Sequence, residues 1–392
     1  MKREKRKKSW EKINLGQIIN LNYGKSLPKE ERLLGKHPVF GSNGIVGYHN
    51  EALVKGPGII VGRKGSCGEV HYSSDDFWPI DTTYYVTLRS KQNLRFISYL
   101  LSSLNLSAKN SHSTIPGLNR ENVYQIEYNL PSLPEQKNIV AVLYKIQKAI
   151  EIQDEIIENT QELKKSTMQH LFTYGTRGEK TKQTEIGEMP ENWEVVNLKD
   201  KFIFTSRPKG LNYANYREIA FAPMELIPNK AVHLNNFILK KPEKISSGIY
   251  FEQGDLLFSK ITPCFENGKQ CIISCNIPNG FGIATTEVIP IKEMPNISDK
   301  YFLFYYLLKH DIRSFITSKM EGATGRQRVP AHIIRELSIP FPCLTEQKEI
   351  SAILLALDKK IELHNSKKVK VQELFNSMLN KLMVGEIKLS YK

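Results

Sequence analysis

The stretch PSLPEQKNIVAVLYKIQKAIE, residues 131–151, returns without a gap 211 positions later as PCLTEQKEISAILLALDKKIE, residues 342–362. Glu135, Gln136, Lys137, Ile139, Ala141, Leu143, Lys148, Ile150 and Glu151 recur as Glu346, Gln347, Lys348, Ile350, Ala352, Leu354, Lys359, Ile361 and Glu362, and the register holds through Gln161-Glu162-Leu163 and Gln372-Glu373-Leu374. An internal repeat of this kind predicts a pseudo-two-fold molecule, because each copy of a repeated segment folds by the same rules.

Both copies open a long amphipathic segment. In the first, Ile139, Val142/Leu143, Ile146, Ala149/Ile150, Gln153, Ile156/Ile157, Thr160, Leu163, Thr167 and Leu171 alternate steps of three and four. Ile350, Ile353/Leu354, Leu357, Ile361, His364, Lys368, Val371, Leu374/Phe375, Met378 and Leu382 do the same in the second. Sustained spacing near about 3.5 residues argues for coiled-coil helices, each roughly 60 Å long at about 1.5 Å per residue. Pro134 suits the first turn of one, and Thr345 can cap the other. Antiparallel pairing about the repeat's dyad brings the midpoints, near Gln153 and His364, face to face. It also sets the acidic Glu151, Asp154, Glu155 and Glu158 near Lys359, Lys360, Lys367 and Lys368, which favours one helix pairing with the other over like with like.

Outward from the helices, Trp10-Glu11 with Asn14-Leu15 is echoed by Trp193-Glu194 with Asn197-Leu198. Gly58-Ile-Ile-Val-Gly-Arg63-Lys64 resembles Gly254-Asp-Leu-Leu-Phe-Ser-Lys260, each an apolar strand that delivers a cation to its end. Ile80–Val86 matches Ile283–Ile289 as a further β-rich run, followed by apolar segments with helical character at Phe96–Leu104 and Tyr301–Phe315. Polar, glycine-containing loops come next, at Ser111–Arg120 and Gly322–Arg328. The fold class is therefore α/β in the α+β sense: two globular domains, 1–130 and 193–341, two long antiparallel helices, 131–175 and 342–392, and a linker at 176–192.

The 392 residues carry 55 Lys and Arg against 41 acids, a net charge of +14, which favours a polyanionic partner without separating DNA from RNA. No apolar run approaches the roughly 18 residues that span a bilayer. The basic Met1–Lys8 is followed by Ser9-Trp10-Glu11 and is no signal peptide; a solvated tail or a DNA-grasping arm both fit it. An odd set of thiols, Cys67, Cys264, Cys271, Cys275 and Cys343, points to a reducing cytosol, with no second cysteine pair at zinc-finger spacing.

The order of parts resembles the DNA-specificity (S) subunit of type I restriction-modification systems. Leu130-Pro-Ser-Leu-Pro-Glu-Gln-Lys-Asn-Ile139 and Ile339-Pro-Phe-Pro-Cys-Leu-Thr-Glu-Gln-Lys-Glu-Ile350 carry the resemblance, supported by Phe40-Gly-Ser-Asn-Gly-Ile-Val-Gly-Tyr48 and Ile59-Ile-Val-Gly-Arg-Lys-Gly65. The second domain departs there, with Ser259-Lys-Ile-Thr-Pro263 at the matching strand end. The resemblance implies a non-catalytic chain without a cofactor of its own. Its two target-recognition domains would each read half of an asymmetric duplex site, and its helices would set the gap between the halves. It implies two modification subunits that methylate adenine with S-adenosylmethionine, joined by restriction subunits that translocate DNA with ATP and Mg. Glu135, Gln136, Glu346 and Gln347 would then lie on the docking surface for the modification subunits.

Arginine to guanine and Asn or Gln to adenine are the favoured base contacts, whereas phosphate contacts only position. The DNA-binding candidates are Ser42, Asn43, Arg63, Lys64, Asn119 and Arg120 in the first domain, and Lys260, Asn267, Lys269, Arg326, Gln327 and Arg328 in the second. Gly41, Gly44, Gly65 and Gly325 would let backbone approach a groove. No phosphate loop exists, since Asn267-Gly268-Lys269-Gln270 lacks its first glycine and its hydroxyl. Asn-Pro-Pro-Tyr is absent, Asp75-Asp76 follows Ser73-Ser74 as a turn does, and His71, His112 and His332 lack ligand spacing. A stand-alone sequence-specific nuclease or methyltransferase and a structural coiled-coil assembly protein are the competing readings.

Overall fold

A computed structural model describes residues 10–109, 117–274, 276–323 and 325–389. The basic tail, the 111–116 part of the first polar loop with His112, and Cys275 lie outside the described residues. The chain forms two compact units, Met1–Ile152 with Lys368–Lys392, and Gln153–Lys367. No helix among the described residues is long and apolar enough to cross a membrane.

The first unit contains β1 (Glu11–Asn14), β2 (Ile19–Tyr23), β3 (His37–Gly41), β4 (Gly44–His49), β5 (Gly58–Gly62), β6 (Val70–Ser73), β7 (Trp78–Pro79), β8 (Thr83–Leu88), α1 (Leu94–Ser103), α2 (Arg120–Tyr124) and β9 (Glu127–Leu130). Its main sheet has the order β2-β8-β5-β6; a smaller one runs β4-β3-β7, and β1 pairs with β9. The apolar run Gly58–Gly62 is buried along its whole length, as a central strand requires. The helix α3 (Leu133–Tyr174) starts here: Pro134 sits in its first turn, and Glu135 accepts from the Ser132 amide at 3.3 Å and from its hydroxyl at 3.0 Å. Ile139 and Leu143 from α3 share one core with Phe96, Leu100, Leu379 and Leu382.

The second unit contains β10 (Thr181–Thr184), β11 (Gly187–Pro190), β12 (Glu194–Asn197), α4 (Leu198–Lys201), β13 (Phe202–Phe204), β14 (Ile219–Ala222), β15 (Ile238–Lys240), β16 (Ile249–Glu252), β17 (Leu256–Ser259), β18 (Gln270–Ile272), β19 (Phe281–Ala284), β20 (Val288–Glu293), α5 (Lys300–Tyr306), α6 (His310–Thr317), α7 (Ala331–Arg335), β21 (Ser338–Phe341) and the start of α8 (Leu344–Met383), whose residues from Lys368 on belong to the first unit. Its main sheet, β13-β20-β17-β18, has the topology of its counterpart, and β12 pairs with β21 as β1 does with β9. In the small sheets β3 runs parallel to β7, and β14 parallel to β19. The second unit adds one strand there, β16.

Four expectations are refined. The proposed linker 176–192 holds the β10–β11 hairpin, whose Met189 is buried in the same core as Trp193 and Leu171. The apolar segment Tyr301–Phe315 is two helices, α5 and α6, with a break at Leu307–Lys309. The β-rich run at Ile283–Ile289 is the end of β19 and the start of β20. Hydrogen bonds also shift the strand match by one residue: Gly62 faces Thr83 and Ser259 faces Val288, so Arg63, not Lys64, is the partner of Lys260 in the repeat.

The helix midpoints meet as the repeat predicts, with His364 Nδ1 2.8 Å from Gln153 Oε1. Leu143 and its repeat mate Leu354 are fully buried. Leu163 and Leu374, placed on the seam by the heptad reading, are instead about half exposed, at 51% and 50%. Lys164 also pairs with Asp358 at 2.6 Å, an interhelical ion pair of the second unit with its cation on α3. Glu151 pairs along its own helix with Lys148 at 2.5 Å.

Candidate nucleic-acid interface

Arg63 lies just past the last residue of β5, Gly62. Arg63 N and Lys64 N both donate to Thr82 O, at 2.8 and 3.1 Å, and Leu118 N donates to Arg63 O at 2.8 Å. That last bond brings the start of α2 to the strand end, where the Asn119 side chain accepts from Glu121 N at 2.9 Å as a helix cap. Arg63, Lys64, Asn119 and Arg120, four candidates distant in sequence, thereby line one concavity of about 470 Å³ with Tyr23 and Tyr84.

The two arginines share the exposed ring of Tyr23, with guanidinium carbons 5.1 Å (Arg63) and 5.2 Å (Arg120) from its centroid. Arg63 is further held by two bonds to one oxygen: Nε and Nη2 donate to Asp81 O at 3.1 and 2.7 Å. Burial, then the neighbouring Tyr23, pushes the Tyr84 phenol up to about 12, and its hydroxyl donates to Leu118 O at 3.0 Å. The result is a rigid, cationic, aromatic-floored hollow, chemically suited to phosphate or a base edge. Tyr23 and Tyr84 were not among the candidates; the sequence signal was an aromatic at the end of one strand and at the start of another.

Ser42 lies at the tip of the β3–β4 hairpin, but its hydroxyl faces inward, toward Lys64 O and, at 2.9 Å, Thr82 O. It joins the hairpin to the strand end, while Asn43 beside it is exposed.

In the second unit Lys260 follows β17 in the same way, with its N donating to Glu287 O at 3.0 Å and Val329 N to its O at 2.8 Å. The surroundings differ. Arg328 forms a two-pronged pair with Glu287, 2.9 and 2.8 Å, and this bonding holds the Glu287 carboxyl below the usual range. Lys269 turns inward and donates to Met224 O at 2.7 Å. Both side chains thus also shape the loops that carry them. Asn267 and Arg326 are exposed on turns, and Gln327 holds its turn by accepting Thr262 N at 3.0 Å through its backbone.

The expected docking residues are corrected most clearly. Gln136 is fully buried; its Oε1 accepts from Asn93 N at 2.9 Å and its Nε2 donates to Pro131 O at 3.0 Å. Gln347 repeats each contact with Asp299 N at 2.9 Å and Pro342 O at 2.9 Å. Glu346, also buried, accepts from Trp193 Nε1 at 3.0 Å and Thr176 N at 3.1 Å. These side chains fasten helix to domain inside each unit; Glu135 alone of the four is partly exposed.

The family model for the type I restriction modification DNA specificity domain matches twice, at residues 7–162 and 190–373. The chain belongs to the type I restriction-modification DNA specificity family. Each match takes in one reading domain and most of the helix that follows it, so the family's unit is the repeat described above. The type I restriction enzyme EcoAI specificity subunit of Escherichia coli is 35% identical over 164 residues, 42% of this chain and 27% of that protein, so the match spans about a quarter of that relative. The MjaVIII specificity subunit of Methanocaldococcus jannaschii is 25% identical over 97% of this chain and 93% of its own. In fold, the chain is similar to the crystal structure of the type I restriction-modification S subunit from M. genitalium, with a TM-score of 0.63 and 18% identity over 100% of this chain and 99% of that one. Within this family the chain's role is that of a specificity subunit, with two specificity regions in one polypeptide.

Proposed function

We propose that the chain reads a bipartite duplex DNA target in the cytoplasm, one half-site per domain, and presents it to modification subunits that methylate adenine, catalysing nothing itself. The observation that carries this reading is that one sheet framework occurs twice while its strand ends differ: Arg63 with Tyr23 and Arg120 in one copy, Lys260 with the Arg328–Glu287 pair in the other. A shared framework with unlike ends suits two domains that present the same surface to two different sequences.

For the partners, the outward positions of the helices replace the largely buried Glu-Gln starts. Leu163 and Leu374 are repeat mates and about half exposed, and so are Ile152 and Leu363, at 50% and 51%. Large apolar side chains left open at matched positions of both halves fit two copies of one protein partner. S-adenosylmethionine would belong to these modification subunits, and ATP with Mg to restriction subunits that join them.

The test is methylome sequencing of a cell lacking adenine methylation that expresses this chain with the modification subunit encoded beside it. Methylation at a bipartite motif that vanishes without the chain is the expected result. Methylation by the modification subunit alone, or none with both expressed, would overturn the reading.

A further inference from the structure

Domain two has lost the aromatic floor at its strand end. By the hydrogen-bond register, the position of Tyr23 is held by Ser206 and that of Arg120 by Ala331, so Lys260 lacks both the ring and the helix-borne cation that Arg63 has. The missing arrangement is rebuilt nearby from other residues. Just after β13, exposed Arg207 lies over the ring of Tyr213, its guanidinium carbon 4.0 Å from the centroid. Its Nε donates to Leu211 O at 3.1 Å, and its Nη2 donates to the same oxygen.

Arg63 has the same three constraints: Nε and Nη2 on one backbone oxygen, and a tyrosine beneath. The Tyr213 ring is in turn stacked on Phe281 at 6.2 Å, and Phe281 on Tyr250 at 5.4 Å, so the floor is continuous with the buried face of β19 and β16. Arg207 and Tyr213 line a concavity of about 490 Å³ with Ser246 and Ser247. Tyr213 also borders a second of about 580 Å³, lined by Arg217 and Lys241 together with Glu218 and Glu243. Residues 207–217 read RPKGLNYANYR, with three cations, two tyrosines and no acid.

We propose that Arg207 is the second domain's counterpart of Arg63, and that through it this domain contacts a guanine of its half-site. The proposal rests on the specificity reading above. An arginine has five N–H donors, and the clamp uses two of them. The outer hydrogens of Nη1 and Nη2 stay available for the end-on pair to guanine O6 and N7, and the stacked ring and clamp fix their direction before DNA arrives.

The experiment is selection from a pool of fully randomised DNA duplexes by the full chain in complex with its modification subunits, for wild type, R207K and R63K. Lysine keeps the charge on the exposed loop but cannot make the two-pronged contact. The expected result is a bipartite wild-type motif, with R207K losing discrimination at one guanine of one half by roughly 5- to 150-fold. R63K should do the same in the other half only. A wild-type motif left intact in R207K, or weakened evenly for all duplexes, overturns the assignment of Arg207. A wild type that selects no bipartite motif overturns the specificity reading itself, and the assignment with it.

Discussion

The helix pair is tied to each domain through the same joint, built from different chemistry. In the first unit Tyr99 donates to Gln147 Oε1 at 2.7 Å, and Phe375 packs edge-on against the tyrosine at 5.9 Å. At the repeat-equivalent positions of the second unit Tyr305 donates to Asp358 Oδ2, also at 2.7 Å, and Lys164 lies 5.1 Å over the ring while pairing with Asp358 at 2.6 and 2.7 Å. One joint is an amide and a ring; the other is an ion pair whose side chains are only 20% and 14% exposed. The geometry is shared, so the fold needs a tyrosine and an acceptor there. The difference concerns pairing. If α3 met a second α3 in this register, Gln147 would face Lys164, and α8 against α8 would set Asp358 against Phe375, a carboxylate without its cation. Unlike joints therefore favour one helix choosing the other.

The largest effect expected from this contrast follows Lys164→Met. It leaves Asp358 buried with only the Tyr305 hydroxyl and should cost about 3–5 kcal/mol in urea unfolding. Combining Lys164→Phe with Asp358→Gln copies the first unit's joint into the second and should restore stability to within about 1 kcal/mol of wild type, since an apolar replacement of a whole buried pair is often neutral. If the single variant costs less than about 1 kcal/mol, the pair is solvated in practice and the two joints are equivalent.

The same division between shared and unlike residues decides what was legible from sequence. The helices, their facing midpoints and the twofold order of parts could be read because periodicity and repetition are properties of the chain itself. Arg63, Lys64, Asn119 and Arg120 could be picked as polar groups at strand ends and loops, though only the Leu118–Arg63 bond shows that they converge. Gln136 and Gln347 were misread for an instructive reason. A residue identical in both halves, with identical partners, serves what the halves have in common, which is their fold. Arg207 was overlooked for the converse reason: it stands where the first domain has Gly24, in a loop with no repeat and no periodicity, and its worth depends on the Leu211 oxygen and the Tyr213 ring meeting it in space.

A second contrast lies at the start of the central strands. Gly58 opens β5 in the first domain, whereas the matching position before β17 is Asp255, wholly buried, with Oδ2 accepting from Glu252 N at 2.8 Å and Oδ1 meeting no donor. Burial pushes its carboxyl up to about 6, against Lys292 nearby, which acts the other way. The folded chain thus holds this proton more tightly than the unfolded chain, and the group's contribution to stability falls as pH rises through about 6 and recovers as pH falls toward the ordinary carboxylate range. Asp255→Asn should stabilise by up to about 3 kcal/mol at mildly alkaline pH, at about 1.4 kcal/mol per pH unit of displacement, with the gain shrinking as the pH drops below about 6. A difference between variant and wild type that does not change with pH would mean that Asp255 stays ionised in both states.

The smallest effect tests the part of the comparison in which the two halves agree. Gln136→Ala and Gln347→Ala each remove a buried amide that accepts from the first residue of a helix cap and donates to the backbone before the long helix. Each should cost about 1–3 kcal/mol, the cost of leaving buried backbone groups without partners, and the two losses should match within about 0.5 kcal/mol and add in the double variant, because the sites share no partner. Complex formation with modification subunits, measured at a temperature where both variants are folded, should be unchanged. Weakened assembly with unchanged stability would return these glutamines to the docking surface, and would mean that repetition here marks a partner shared by the two halves and not merely their common fold.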